Sequence, residues 1–172
     1  TIIQSGDLKN DPAGLLSYIN SILYGKTNGN FITAFYCILN LKDNSMTYAN
    51  AGHNHPFLIK NENVEEIKGM RSLPLASMPN DFLESAGKQY GNNTITLPNK
   101  SKLLLYTDGL VEATPEDNTQ IMFDENGLLD SLKSNSSHKS NTYIDIIFKD
   151  LVSFRGNNNF EDDVCIVCVD LV

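Results

Sequence analysis

Long apolar runs are missing from this chain of 172 residues. None approaches the roughly 20 residues that a membrane helix needs, and no signal-peptide pattern opens the chain. The expectation is a cytoplasmic protein, or the cytoplasmic domain of a longer, membrane-bound one. Cysteine is scarce: Cys37, Cys165 and Cys168 are all there are. So small and odd a number argues against a disulfide framework and for a reducing compartment. Positive charge is short as well. Thirteen Lys and Arg stand against 21 Asp and Glu, a formal net charge of -8, and the basic residues are scattered. That balance argues against a nucleic-acid partner, because phosphate-backbone sites need clustered cations. No low-complexity block is long enough to signal disorder.

What remains is an ordinary globular composition, 41% hydrophobic and 20% charged, in a length that fits one domain with a core of its own. Asp11 suits a helix N-cap, Pro12 the first helical position and Gly25 the stop, with Leu15, Leu16, Ile19, Ile22 and Leu23 at helical spacing between them. Strands are expected over residues 31–41 and 46–51, joined by a hairpin turn at 42–45. Shorter strands follow over 57–59 and 64–68. The stretch 69–91 carries Pro74 and Pro79 and shows no regular period, although Leu73, Leu75 and Met78 read as partly buried. Strands over 94–97 and 103–107, helices over 126–133 and 141–154, and a last strand over 164–172 complete the pattern. Hairpin-connected strands with the helices grouped outside them define an α+β fold, helices packed on a mostly antiparallel sheet.

The chemistry concentrates where two apolar runs meet carboxylates. Residues 103–110, Leu-Leu-Leu-Tyr-Thr-Asp-Gly-Leu, read as a buried strand running straight into Asp108, with Gly109 permitting a sharp turn after it. Glu161, Asp162 and Asp163 precede the last strand in the same way. Taken singly, Asp108 is a turn aspartate and the acidic triplet a solvated rim. Taken together, two strand-edge acidic sites point to one shared centre for a hard cation such as Mg²⁺ or Mn²⁺, which takes oxygen ligands. His53 and His55 are further ligand candidates, with a hydrogen-bonding loop role as the alternative. Cys165 and Cys168 have the spacing of a redox or zinc pair, but on one strand they would face opposite sides, so both are expected to be core packing.

Four segments occur in the order seen in one known family. They are residues 31–36 (Phe-Ile-Thr-Ala-Phe-Tyr), 48–56 (Tyr-Ala-Asn-Ala-Gly-His-Asn-His-Pro), 104–113 (Leu-Leu-Tyr-Thr-Asp-Gly-Leu-Val-Glu-Ala) and 161–164 (Glu-Asp-Asp-Val). Pro98, Met122 and Phe123 fit the same register. The chain resembles the bacterial PPM (type 2C-like) metal-dependent serine/threonine phosphatases of the sporulation stage II protein E and sigma-B regulator branch, from Asp11 to Leu171. The resemblance implies an α-β-β-α sandwich with two Mn²⁺ or Mg²⁺ ions at one edge, and in-line attack of a metal-activated water on phosphoserine or phosphothreonine. By motif position it makes Asp108 and Asp162 metal ligands and Asp163 a neighbouring polar residue, with Cys165 standing where threonine is usual. Glu112 becomes a candidate for contacts to the ligands. The implied partner is a phosphorylated regulatory protein of the anti-sigma-factor antagonist type, in signal transduction. A dimer formed through the N-terminal helix region fits the resemblance.

The start of the chain departs from the pattern. The family's Gly-Asp-x-x-Asp strand motif and Asp-x-x-Gly-His/Lys-Gly loop are not found, and Gly6-Asp7 lacks the surrounding strand signal. The chain is therefore expected to be a single phosphatase-like domain, residues 1–172, without its first strands and first helix. That leaves two functional readings. In one, a longer parent protein is a protein phosphatase of which this chain is a part. In the other, the chain is a non-catalytic pseudophosphatase or interaction module.

Overall fold

In a computed structural model the protein is described from residue 8 to residue 171, so Gly6 and Asp7 lie outside the described residues. The chain divides into two compact units, one formed by residues 8–53 and 68–97, the other by 54–67 and 98–171.

The first unit begins with helix α1 (Pro12–Leu23). Asp11 caps it, its Oδ1 accepting from the Gly14 N–H at 3.1 Å, and Gly25 leaves it at a φ of 75°. Strands β1 (Ala34–Asn40) and β2 (Ser45–Ala51) form the expected antiparallel hairpin, Asn40 opposite Ser45, with Asn44 in the left-handed region of the turn. The first strand is shorter than the predicted 31–41. Ile32 instead exchanges both backbone hydrogen bonds with Leu75, so the chain has not yet joined β2 there. On its other side β2 pairs in parallel with the short β5 (Arg71–Ser72) and antiparallel with β6 (Asn93–Thr96). Leu16 of α1 shares a core with Ala49 and Ala51 of β2 and with Leu75, Leu83 and Tyr90. The alanines leave room for a helix against the strand.

The stretch 69–91 is more ordered than its sequence implied, since it contains β5 and a short helix α2 (Asn80–Ser85). Leu75 is buried, but Met78 is exposed, contrary to expectation. The organiser is Asn20, fully buried on α1. Its Nδ2 donates to the Met78 carbonyl at 2.9 Å and to Asn80 Oδ1 at 2.7 Å, and its Oδ1 accepts from the Ala76 N–H at 2.7 Å. Met78 is held through its backbone, which frees its side chain.

The second unit is a four-stranded antiparallel sheet in the order β4-β3-β7-β8: β3 (Phe57–Lys60), β4 (Asn63–Glu66), β7 (Ser101–Tyr106) and β8 (Ile166–Leu171). Helices α3 (Asp124–Ser134) and α4 (Ser140–Arg155) supply Leu128, Leu132, Tyr143, Ile147 and Leu151 to a core with Phe57, Leu104 and Tyr106 from the sheet. The Tyr143 hydroxyl donates to the Leu132 carbonyl at 2.8 Å and locks the two helices together. Burial pushes that phenol's pKa well above its ordinary value.

Strand β8 starts two residues later than predicted, which corrects one expectation. Cys165 lies before the strand and is exposed, while Cys168 is partly buried against the helical core. Core packing therefore describes Cys168 alone. The α+β class stands: antiparallel sheets carrying helices.

Candidate functional site

Strands β7 and β8 pair from Ser101↔Leu171 to Tyr106↔Ile166, so the chain leaving β7 and the chain entering β8 emerge side by side. This pairing brings the Asp108 and Asp162 segments to one sheet end. Two residues set their close approach. The Thr107 N–H donates to the Cys165 carbonyl at 3.1 Å, the Thr107 hydroxyl donates to the Asp163 carbonyl at 2.9 Å, and the same oxygen accepts from the Cys165 N–H at 2.9 Å. Gly109 is the second. A Cβ there would lie 2.7 Å from the Asp163 carbonyl oxygen and 3.3 Å from the Asp162 carbonyl carbon.

Asp108 opens a short 3₁₀ turn (Asp108–Leu110) rather than a simple bend. Its Oδ1 accepts from the Gly109 N–H at 3.2 Å, and its carbonyl accepts from Val111 and Glu112. Leu110, buried in the helical core, anchors the turn from below. Asp162 Oδ1 accepts from the Asp163 N–H at 2.7 Å. Asp108, Glu112, Asp162 and Asp163 are all solvent-exposed. Glu161 is committed elsewhere: its Oε2 lies 2.5 Å from Arg155 Nη1. The Arg155 hydrogen bond holds the Glu161 carboxyl below the usual carboxylate range. A cavity of about 440 Å³ adjoins Asp162 and Asp163, walled on its apolar side by Phe148 and Phe160, whose rings sit 5.7 Å apart.

The donor chemistry fits a hard divalent cation. Asp108 and Asp162 are exposed carboxylates on fastened segments, each with one oxygen held by a backbone N–H of its own turn. Two carboxylates alone do not complete a ligand set for such an ion. Among the described residues, no group of three or more His, Cys, Asp and Glu side chains gathers at one cation position.

His53 is built into its loop. The His53 N–H donates to Asn50 Oδ1 at 2.8 Å, Asn50 Nδ2 donates back to the His53 carbonyl at 3.0 Å, and the ring Nδ1 meets the Thr33 hydroxyl at 3.3 Å. Asn50 is fully buried, so this is a built loop clasp in the first unit. His55, half-buried, belongs to the second unit.

Sequence reasoning missed Thr107 and Arg155. The signal for Thr107 was a hydroxyl directly before the strand-end aspartate. For Arg155 it was one of only two arginines in the chain, placed at a helix end before Gly156.

Antiparallel sheets carrying helices make up a fold that this chain shares with solved PP2C phosphatase domains. The fold matches the SiaA PP2C domain of Pseudomonas aeruginosa with a TM-score of 0.77 at 16% identity, covering 94% of this chain and 61% of that one. It matches the manganese-presoaked SpoIIE phosphatase domain of Bacillus subtilis with a TM-score of 0.64 at 20% identity, covering 99% and 69%. The sequence profile described as stage II sporulation protein E (SpoIIE) matches residues 4–172, and the chain belongs to that family. It is also 24% identical over 139 residues to the protein IcfG of Synechocystis sp., spanning 81% of this chain but 20% of that protein.

Proposed function

We propose that this chain is the greater part of a metal-dependent protein serine/threonine phosphatase domain, which hydrolyses a phosphomonoester on a regulatory protein to the free hydroxyl and inorganic phosphate. The reading rests on one observation: Thr107 fastens the Asp108 and Asp162 segments to each other at the end of β7 and β8, with Gly109 leaving room for their close approach. Membership of the SpoIIE family and the manganese treatment of one structural neighbour support the same chemistry.

Asp108 and Asp162 are the residues of this chain that would hold Mn²⁺ or Mg²⁺. When bound, the cation supplies Lewis acidity toward water and toward the phosphate oxygens. The chain's own part is positional. The β7–β8 ladder sets the spacing of the two carboxylates, and the Thr107 hydroxyl keeps the acidic segment from swinging into solvent. The exposed end of the sheet leaves a phosphorylated side chain of a folded partner free to approach. In this branch the partner proposed is a phosphorylated protein of the anti-sigma-factor antagonist type.

The test uses the full-length protein and a phosphoserine protein substrate with Mn²⁺. Asp108→Asn and Asp162→Asn keep the shape of each side chain and remove its charge. Each is expected to cut Mn²⁺-dependent phosphate release by about 100-fold or more, the upper range for disturbing a metal site through its ligand environment. Unchanged turnover in both variants would remove the two aspartates from the mechanism.

A further inference from the structure

We infer that Arg155 is a positioning residue of this site, holding the acidic segment so that Asp162 stays in register with Asp108. The inference rests on the phosphatase reading of those two aspartates.

Arginine is seldom buried, yet Arg155, the last residue of α4, is only 7% exposed. Its donors run to three different segments. Nε donates to Asn157 Oδ1 at 3.2 Å, and Nη1 donates to the Thr114 carbonyl at 2.8 Å and to Glu161 Oε2 at 2.5 Å. The guanidinium carbon lies 5.5 Å from the centre of the Phe160 ring. Its backbone takes part too, the Arg155 carbonyl accepting from the Glu116 N–H at 3.1 Å.

These contacts share a direction. Thr114 and Glu116 lie on the chain that continues from the Asp108 turn, and Glu161 lies beside Asp162. Arg155 therefore cross-links the same two segments that Thr107 cross-links. The two links bracket the ligand candidate: residue 161 is fixed by Arg155 and residue 163 by Thr107, with Asp162 between them. A three-residue segment pinned at both ends has little freedom in its middle residue, so the cost of ordering Asp162 is met on folding rather than on binding. Lysine cannot replace this arrangement, because a single ammonium on a flexible stem lacks the planar fork that reaches three acceptors.

Two variants separate positioning from plain stabilisation. Arg155→Lys keeps the charge and loses the fork. Glu161→Gln removes the partner's charge at a side chain that is 59% exposed, so it leaves the core untouched. Three quantities are read on the full-length protein: the Mn²⁺ concentration at half-maximal binding, from the electron paramagnetic resonance signal of the free ion; amide exchange across residues 161–165 without metal; and the melting temperature.

Both variants are expected to raise the Mn²⁺ midpoint about 10-fold to 100-fold and to speed exchange at residues 161–165. Glu161→Gln is expected to do so with its melting temperature within a few degrees of the parent. The inference is overturned if Glu161→Gln leaves both the midpoint and the exchange rates unchanged, whatever Arg155→Lys does to folding. It is also overturned if the variants lower only the melting temperature. Failure of the phosphatase reading looks different: Asp162→Asn then leaves Mn²⁺ binding intact as well.

Discussion

Gly109 decides how closely the two acidic segments approach. Most glycines are argued from backbone freedom, but this one matters for space: an added Cβ would meet the Asp163 carbonyl oxygen at 2.7 Å, closer than real side chains come. The obstacle is backbone, itself accepting from Thr107, so it cannot rotate aside. Gly109→Ala should therefore push the Asp162 segment away from Asp108 and weaken the Thr107 link. The expected cost is about 1–3 kcal/mol of stability, as for other overpacked sites, together with a loss of Mn²⁺-dependent turnover. A denaturation curve and a phosphate-release assay on the same preparation check it, and a variant with normal turnover would show that the close approach is not needed. The placement of the two aspartate segments at one end of a strand pair was legible in the sequence, because each lies close to an apolar run that forms a strand. Thr107 and Arg155 were not legible. A hydroxyl and a guanidinium carry no periodicity, and their partners lie 56 and 41 residues away in the chain. Cys165 was misread for a related reason, since apolar character continues past the point where β8 stops pairing.

Among the elements, the ones announced by period were readable: α1 from its cap and spacing, the β1–β2 hairpin from its turn, and α3 and α4 from their apolar faces. The stretch 69–91 was not, because its order comes from scattered long-range hydrogen bonds, those of one buried amide prominent among them, rather than from alternation. Asn20 presents two donors and an acceptor from the middle of α1 and satisfies Met78, Asn80 and Ala76 at once. The path into α2 is thus built from the helix side. That makes the dependence testable. Asn20→Leu keeps the side-chain volume and the helix propensity, but it leaves the buried Ala76 N–H without its acceptor and the Met78 carbonyl without its donor. Each buried group left unsatisfied costs about 1–3 kcal/mol. The variant should lose at least that much stability in a urea titration, and the Ala76 amide should exchange markedly faster while amides in β7 and β8 do not. An unchanged titration midpoint would mean that the stretch holds itself in place without Asn20.

At the largest scale, these 172 residues carry a net charge of -8, to which Asp108, Glu112, Asp162 and Asp163, all solvent-exposed, contribute. A phosphate monoester is itself anionic. The field that repels it is offset at short range only when a divalent cation sits on the carboxylates, and at longer range by nothing that clusters in the sequence, where the 13 basic residues are scattered. Partner selection should therefore depend on the charge around the phosphorylated residue as well as on the phosphate. A phosphoserine peptide flanked by lysines should be hydrolysed by the full-length protein with a higher kcat/KM than one flanked by glutamates. The gap should narrow as salt rises, because the screening length falls from about 10 Å at 0.1 M to about 3 Å at 1 M. The Mn²⁺ concentration is held saturating throughout, so that salt acts on the encounter and not on the loading of the site. Long-range fields act mainly on association rate, which places the effect in kcat/KM and leaves kcat for the two peptides similar at high salt. Equal kcat/KM for the two peptides at low salt would mean that the acidic surface does not reach the substrate path. Selectivity would then have to come from shape alone, with the Phe148 and Phe160 wall beside Asp162 as the first place to look for it.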